Sequence, residues 1–597
     1  MKPMRLALVA LAALTVTAIA AGGAGAGRGD DQLSKVNHIV VIYEENHSFD
    51  NLYGGWEGVN GPQNADAAHT LQVNQAGTPF QCLLQYDVNL QAQSAANPSA
   101  PLTATCNDTT TATPFPSHFA NAPFNIGDYI AATDTTCPLT PLTAFTSANG
   151  FKKGTGSPGG CTRDIVHRFY QEIFQLNGGR QNRYMLGSDA AGTVMGAYDT
   201  KALPVYEYLH GDGHPHYAIA DDFFQAAFGG SFLQHQWLIA AASPTCNAAN
   251  GCPANALHSV LDANGFPQRS YPPAANRPPG TGALYTSPAP TSLTLVDSVL
   301  TQSCGLPTTV AGLACGDYGV NTMQPAFQPS GLFGAKLPAQ TNRTIGDRLS
   351  AAGVDWAWYS GGWSNANGDV GAPGWTNGTV AAPTLTGCPS PFVDPGVSHW
   401  PRCPDNLFQY HHQPFNYYAP FTTATPAGLA NRAAHLRDEE DFIQSAQSST
   451  KSCNLKGVSF VKPVGEENEH PGYASEPDGS DHLVSLLQSI ENSACAKDTM
   501  VIVTYDEFGG QWDHVPPPGQ GGAPGVHDQW GPGSRIPALI VSPGLRGNEV
   551  VDNTQYDTTS ILATIEQRWD LNPLTTRDAS VNSLADVFQA KQYEAGK

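Results

Sequence analysis

Two stretches of this 597-residue chain concentrate acid at a single point. The first, "NHIVVIYEENHSFDNLY" (Asn37–Tyr53), runs apolar and β-branched and then stops at Glu44, Glu45, Asn46 and His47. The second, "TMVIVTYDEFGGQWDHV", does the same and stops at Asp506, Glu507, Asp513 and His514. One such ending is an ordinary polar turn. Two on similar buried strands are a different matter, because ligands of an open α/β sheet collect beyond the carboxyl ends of its strands. Several anionic oxygens would then converge where burial penalises the ionised form unless a cation offsets it. A hard divalent metal ion with oxygen ligands meets that need.

Histidine supplies a second kind of chemistry. "QYHHQPF" sets His411 beside His412, "EENEHPGY" sets His470 after Glu469, and His167 falls within "DIVHRFYQEIFQLNGG". Each taken singly reads as a surface or satisfied core histidine. None belongs to a His-Glu-x-x-His metal pair, so phosphate contact and proton transfer suit them better than zinc ligation. A nucleophile is harder to see. "FFQAAFGGSFLQHQW" (Phe223–Trp237) sets Ser231 behind Gly229 and Gly230. A helix starting there would expose the hydroxyl and offer N–H groups to an anion. The pattern is not a Gly-x-Ser-x-Gly elbow, and its plain reading is a glycine turn.

Groups so placed need a sheet behind them. "HIVVIY" (His38–Tyr43), "GVSFVKP" (Gly457–Pro463), "TMVIVTYDE" (Thr499–Glu507) and "IPALIVSP" (Ile536–Pro543) are short apolar runs bounded by polar residues, as buried parallel strands are. Helical spacing runs through Asp164–Gly179, which carries His167, and through "GSDHLVSLLQSIENSA" and "DTTSILATIEQRW". Strands alternating with helices predict an α/β fold with a mostly parallel sheet flanked by helices. Residues of about 60–160 and 241–405 are rich in Pro, Gly, Thr, Ala and Cys without clear periodicity, and read as irregular insertions. No internal repeat is visible. The expectation is a single catalytic domain over 28–597 carrying long excursions.

The first 27 residues have Lys2 and Arg5, an apolar run and then small residues, the layout of a secretory signal peptide. No later stretch is apolar enough to anchor the chain in a bilayer. Twelve cysteines suit an oxidising, secreted or periplasmic destination. Near pairs (Cys246 with Cys252, Cys304 with Cys315, Cys388 with Cys403) would staple the insertions, and the absence of Cys-x-x-Cys clusters argues against structural zinc. A net charge of −22 disfavours nucleic-acid partners. It would also repel a phosphate ester unless a cation inverts the field locally.

"EENHSFDNLYG", "NEHPGY", "TYDEFGGQWDHVPPP" and "RIPALIVSPG" together resemble the bacterial phosphoesterase family of phospholipases C and respiratory-burst-inhibiting acid phosphatases, within the alkaline-phosphatase-like superfamily. The match runs over about 36–570, and "FGGSFLQHQWLIAA" and "FQYHHQPFNYY" look more like the acid-phosphatase branch. The resemblance implies that Glu45, Asn46, Asp506, Glu507 and Ser231 bind one divalent metal ion (Ca, Mn, Fe or Zn), with Ser231 also the nucleophile. It places His167, His411, His412 and His470 around the phosphoryl group, with His470 or His412 protonating the leaving alcohol. His47 stands where many relatives have arginine, a departure that touches no proposed ligand.

The leading expectation is a secreted acid phosphatase that hydrolyses phosphomonoesters through a phosphoserine. The alternative is a phospholipase C acting on phosphatidylcholine-like lipids, with head groups as substrate. A non-catalytic secreted binding protein is the third reading. Oligomeric state is not legible.

Overall fold

The apolar run after Asn37 forms β1 (His38–Glu44), buried along almost its whole length, because both faces of a central parallel strand are covered. A computed structural model describes residues 26–84, 102–111, 114–130, 137–140, 143–145, 162, 164–188, 192–247, 249, 251–252, 258–259, 300–302, 314–327, 336–375, 408–465, 467–471 and 474–593. Seven further strands complete the main sheet: β2 (Tyr217–Ala220), β3 (Trp356–Ser360), β4 (Leu436–Arg437), β5 (Val458–Lys462), β6 (Thr499–Tyr505), β7 (Ala538–Val541) and β8 (Glu549–Asp552). Their order is β4-β3-β5-β1-β6-β7-β2-β8. Every pairing is parallel except the two made by β7. Helices α1 (Phe169–Leu176), α2 (Ser231–Ala240), α3 (Ile345–Ala352), α4 (Glu476–Glu491) and α5 (Thr559–Trp569) are among those flanking the sheet. The expected α/β architecture is what the chain adopts.

Three expectations need correction. The run at Ile536–Pro543 was read as parallel, yet β7 is antiparallel to β6, with Val501 opposite Val541. The connection from Asp506 to Pro537 leaves and re-enters the sheet at the same end of these two interior strands, and a returning strand that makes no crossover must run backwards. The helix expected over Asp164–Gly179 begins only at Phe169, so His167 lies ahead of it in extended chain. That extended segment lies flush on the Gly229–Gly230 turn: a Cβ on Gly230 would sit 2.7 Å from His167 Cδ2. The tertiary contact overrides the helical spacing. The helix does end as foreseen, with Asn177, Gly178 and Gly179 at positive φ. Third, 241–405 is not wholly an insertion: α3, with a Thr344–Asp347 capping box, leads into the buried β3 of the main sheet.

Cys246–Cys252 forms as expected, and Cys82–Cys106 and Cys453–Cys495 are further bridges. Cys304, Cys388, Cys403 and residues 1–25 of the expected signal peptide lie outside the described residues. Among the described residues, no helix is long and apolar enough to cross a membrane.

Candidate active site

Parallel register brings the two acidic strand ends together. Glu44 of β1 pairs with Tyr505 of β6, so Glu45 and Asp506 follow side by side. The Asp506 N–H donates to the Glu44 carbonyl (3.1 Å), and the Asn46 N–H donates to Asp506 Oδ1 (3.1 Å). Asn46 turns through a left-handed conformation, φ 64°. Gly509 packs on that turn, where a Cβ would lie 2.1 Å from the Asn46 carbonyl oxygen, so only glycine fits.

Ser231 is the first residue of α2 and is 7% exposed. Its Oγ donates toward Glu45 Oε2 (3.2 Å) and lies 3.4 Å from Asn46 Oδ1. The turn before it is held by Glu172 of α1. That buried carboxylate accepts from the Gly229 N–H, from Gln225 Nε2, and from both N–H and Oγ of Ser534. The Asn46 amide is oriented from its other side, since Nδ2 lies 3.0 Å from His470 Nε2, which turns Oδ1 toward Ser231.

The remaining groups close around these. His412 Nε2 and Lys462 Nζ both lie 2.7 Å from Glu45 Oε1. His411 reaches the same carboxylate: one ligand atom from each of Glu45, His411 and His412 falls within 4.8 Å of the others. His470 Nε2 is 3.9 Å from Glu45 Oε2, His167 Nε2 is 3.5 Å from Glu507 Oε1, and His235 Nδ1 is 3.9 Å from Asp506 Oδ2. Every residue singled out as catalytic or metal-binding therefore falls into one cluster. Asp513 and His514 do not join it; they pair with Asp50 and Arg535 instead. Three contributors escaped the sequence reading. His235 sits one helical turn after Ser231, a spacing that could have flagged it. Lys462 closes the strand beside β1, and a lysine ending a buried strand is itself a signal. Glu172 had no local signature at all.

The electrostatics are uneven. Burial works against ionised Glu45, yet Lys462 and His412 outweigh it and hold the carboxyl well below the usual range. Asp506 and Glu507 are pushed well above theirs, by burial first and then by the neighbouring carboxylates, Glu45 on Asp506 and Asp506 on Glu507. Burial holds His412 near 4 and lowers His411, His235 and His470, so these imidazoles are neutral bases in neutral solution. Asp506 Oδ2 and Glu507 Oε1 are buried without a hydrogen-bond donor. Oxygens of that kind, beside an amide oxygen and a serine hydroxyl, fit a hard divalent cation.

The site thus joins a serine at a helix start to buried acids and histidines at the carboxyl ends of the strands of an α/β sheet. The chain belongs to the phosphoesterase family, whose model matches residues 36–572. It is 32% identical over 161 residues to phospholipase C B of Mycobacterium tuberculosis, covering 24% of this chain and 31% of that protein. It is 30% identical over 145 residues to non-specific phospholipase C6 of Arabidopsis thaliana, covering 21% of this chain and 28% of that one. Non-hemolytic phospholipase C of Burkholderia pseudomallei is 26% identical over 248 residues, 38% of this chain and 32% of that one. The chain thus spans about a third of the length of each of these relatives.

Proposed function

We propose that this protein is a metal-dependent phosphodiesterase of the phospholipase C type that works by double displacement at Ser231. The observation that carries the reading is the position of Ser231 Oγ, 3.2 Å from Glu45 Oε2 beside the donorless Asp506 Oδ2 and Glu507 Oε1. A divalent ion held by Glu45, Asn46, Ser231, Asp506 and Glu507 would supply Lewis acidity and ease deprotonation of the serine, and Ca, Mn, Fe and Zn all suit an oxygen-rich set of this kind. Ser231 Oγ attacks phosphorus as a neutral histidine, assigned to His470, takes its proton; the bond to the leaving alcohol breaks and the alcohol's oxygen takes that proton from His470. Water then attacks the phosphoryl-serine as His470 takes its proton, the P–Oγ bond breaks, and Ser231 Oγ takes that proton back from His470. His167, His411 and His412 face the non-bridging oxygens. The bound cation would supply the local positive field that offsets the repulsion expected of an acidic chain.

The choice of diesters rests on the relatives, which bear the name phospholipase C. Monoester hydrolysis, the first expectation from the sequence, remains the second reading, because four clustered histidines would equally meet a dianionic phosphate. Residues 28–597 would act as one catalytic unit in a secreted or periplasmic protein whose first 27 residues are a leader.

The test compares hydrolysis of p-nitrophenyl phosphorylcholine and p-nitrophenyl phosphate by the mature protein and Ser231→Ala. The diester should turn over faster, and the variant should lose roughly 10⁴-fold or more. Faster turnover of the monoester would move the assignment to acid phosphatase. Retained activity in the variant would remove Ser231 from the mechanism.

A further inference from the structure

Glu44 and Glu45 are consecutive at the end of β1, and side chains alternate across a strand. Glu45 faces Ser231. Glu44 belongs to a second buried group with His47, Glu469 and Glu476, each 2% exposed or less. Both oxygens of Glu44, Oε1 of Glu476 and Oε1 of Glu469 have no hydrogen-bond donor, while Glu476 Oε2 meets His47 Nε2 and Glu469 Oε2 accepts from the Tyr505 hydroxyl. The neighbouring cations are engaged elsewhere: Lys462 bonds Glu45 and the carbonyls of Tyr43 and Glu44, and His482 bonds Glu439 and Glu467.

His47 shows what is missing. Its Nδ1 lies 2.5 Å from Asn51 Oδ1. Asn51 Nδ2 donates to the Gly196 carbonyl, which fixes the amide and makes Oδ1 the acceptor, so His47 Nδ1 carries the proton. The other ring nitrogen, Nε2, faces two acceptors, Glu476 Oε2 and the Glu469 carbonyl, both at 3.0 Å, and against the opposing effect of burial Glu476 favours a second proton on the ring. A proton on Nε2 or a metal ion would each meet that contact, but one proton leaves both oxygens of Glu44, Oε1 of Glu476 and Oε1 of Glu469 unanswered, and a divalent ion among them would not. Ligand bonds of about 2.1 Å at right angles give a polyhedron edge of about 3.0 Å, so a spacing that suits a hydrogen bond also suits an octahedral ion.

We propose a second divalent-cation site formed by His47 Nε2, Glu476 and Glu469, with Glu44 behind it. One ligand atom from each of the first three falls within 4.8 Å of the others. The ion would tie the turn after β1 to the loop carrying His470 and to the first residue of α4, a structural role behind the catalytic face.

The experiment counts metal in chelator-stripped protein that is equilibrated with Mn²⁺, freed of unbound ion and analysed by plasma emission. Wild type should hold two equivalents, falling to one in Glu476→Gln and to one in Glu507→Gln. Because the count needs no substrate, it is independent of the catalytic reading: a single equivalent that Glu507→Gln keeps and Glu476→Gln loses would still support the site. A single equivalent that Glu476→Gln keeps would overturn it, leaving a doubly protonated His47 to balance the acids. His47→Gln is the second variant if Glu476→Gln does not fold, and a wild-type count of zero overturns the site without any variant.

Discussion

Two clusters of buried acid grow from the ends of the same two strands, and they solve the same electrostatic problem in opposite ways. In one, Arg535 bonds Asp50 Oδ1 (2.9 Å) and Asp513 Oδ2 (3.2 Å), His514 bonds Asp50 Oδ2, and the Val515 N–H bonds Asp513 Oδ1. Every carboxylate oxygen has a donor. In the other, Asp506 Oδ2 and Glu507 Oε1 have none. The difference teaches that buried acid is not itself the mark of a site. Unused acceptor capacity is. The first cluster is a staple, holding the segment after β1 to the segment after β6, and the second is a socket.

Substitutions that remove one charge from each cluster should therefore act with opposite sign. Glu507→Gln deletes a buried negative group that has no internal counter-ion. We expect turnover to fall roughly 10⁴-fold, about 5 kcal/mol in the barrier. The metal-free protein should meanwhile melt no lower than wild type, because like-charge repulsion is relieved. A metal-free variant melting well below wild type would show that Glu507 is held by protein groups after all.

Arg535→Met does the reverse. It strands Asp50 and Asp513 in a buried place, and losing one partner of such a network costs about 3–5 kcal/mol of folding stability. Denaturant titration should show the loss whether or not metal is present. Equal stability of variant and wild type would erase the distinction between staple and socket.

Chelation separates the clusters without mutation. An ion bound only by the folded state adds about 2.7 kcal/mol of stability when its concentration is 100 times Kd. Stripping wild type should lower its thermal midpoint, and restoring Mn²⁺ should recover it. Glu507→Gln should lose the share of that response owed to the ion beside Ser231, keeping only what the second ion contributes, and Arg535→Met should keep the whole; an equal response in both would contradict the assignment.

The sequence made the socket legible and the staple illegible for one reason. Glu45, Asn46, Asp506 and Glu507 end the two clearest apolar runs in the chain, so strand logic alone put them together. Asp513 and His514 ended the same run and were grouped with them. Only the tertiary position of Arg535, a residue not distinguished by its neighbours, pulls them away. The same holds for Glu172, whose four donors come from Gln225, Gly229 and Ser534, distant from it in sequence. His167 was placed in the right site on the wrong element, because helical spacing runs through Asp164–Arg168 and only packing against Gly229 and Gly230 keeps that segment extended. The core strands β2, β3, β4 and β8 read YAIA, WAWYS, LR and EVVD and lack the run of Val, Ile and Leu that marks β1, β6 and β7, so they do not declare themselves.

A third cluster lies between staple and socket, since its counter-ion is a proton. His482 of α4 bonds Glu439 (2.7 Å) and Glu467 (3.0 Å). Burial opposes the imidazolium, but the two carboxylates outweigh it and lift the ring from 6.5 to about 9. A histidine raised in the folded state contributes stability that is complete below its unfolded value near 6.5 and is lost as pH climbs through 9. The thermal midpoint should therefore decline by about a few degrees between these limits, whereas Arg535, charged throughout, adds no slope there. His482→Gln should flatten part of the decline and leave the response to metal unchanged. A slope identical in variant and wild type would assign it to buried carboxyls instead, of which Glu44 and Glu172, each raised to about 8 chiefly by burial, titrate over the same range.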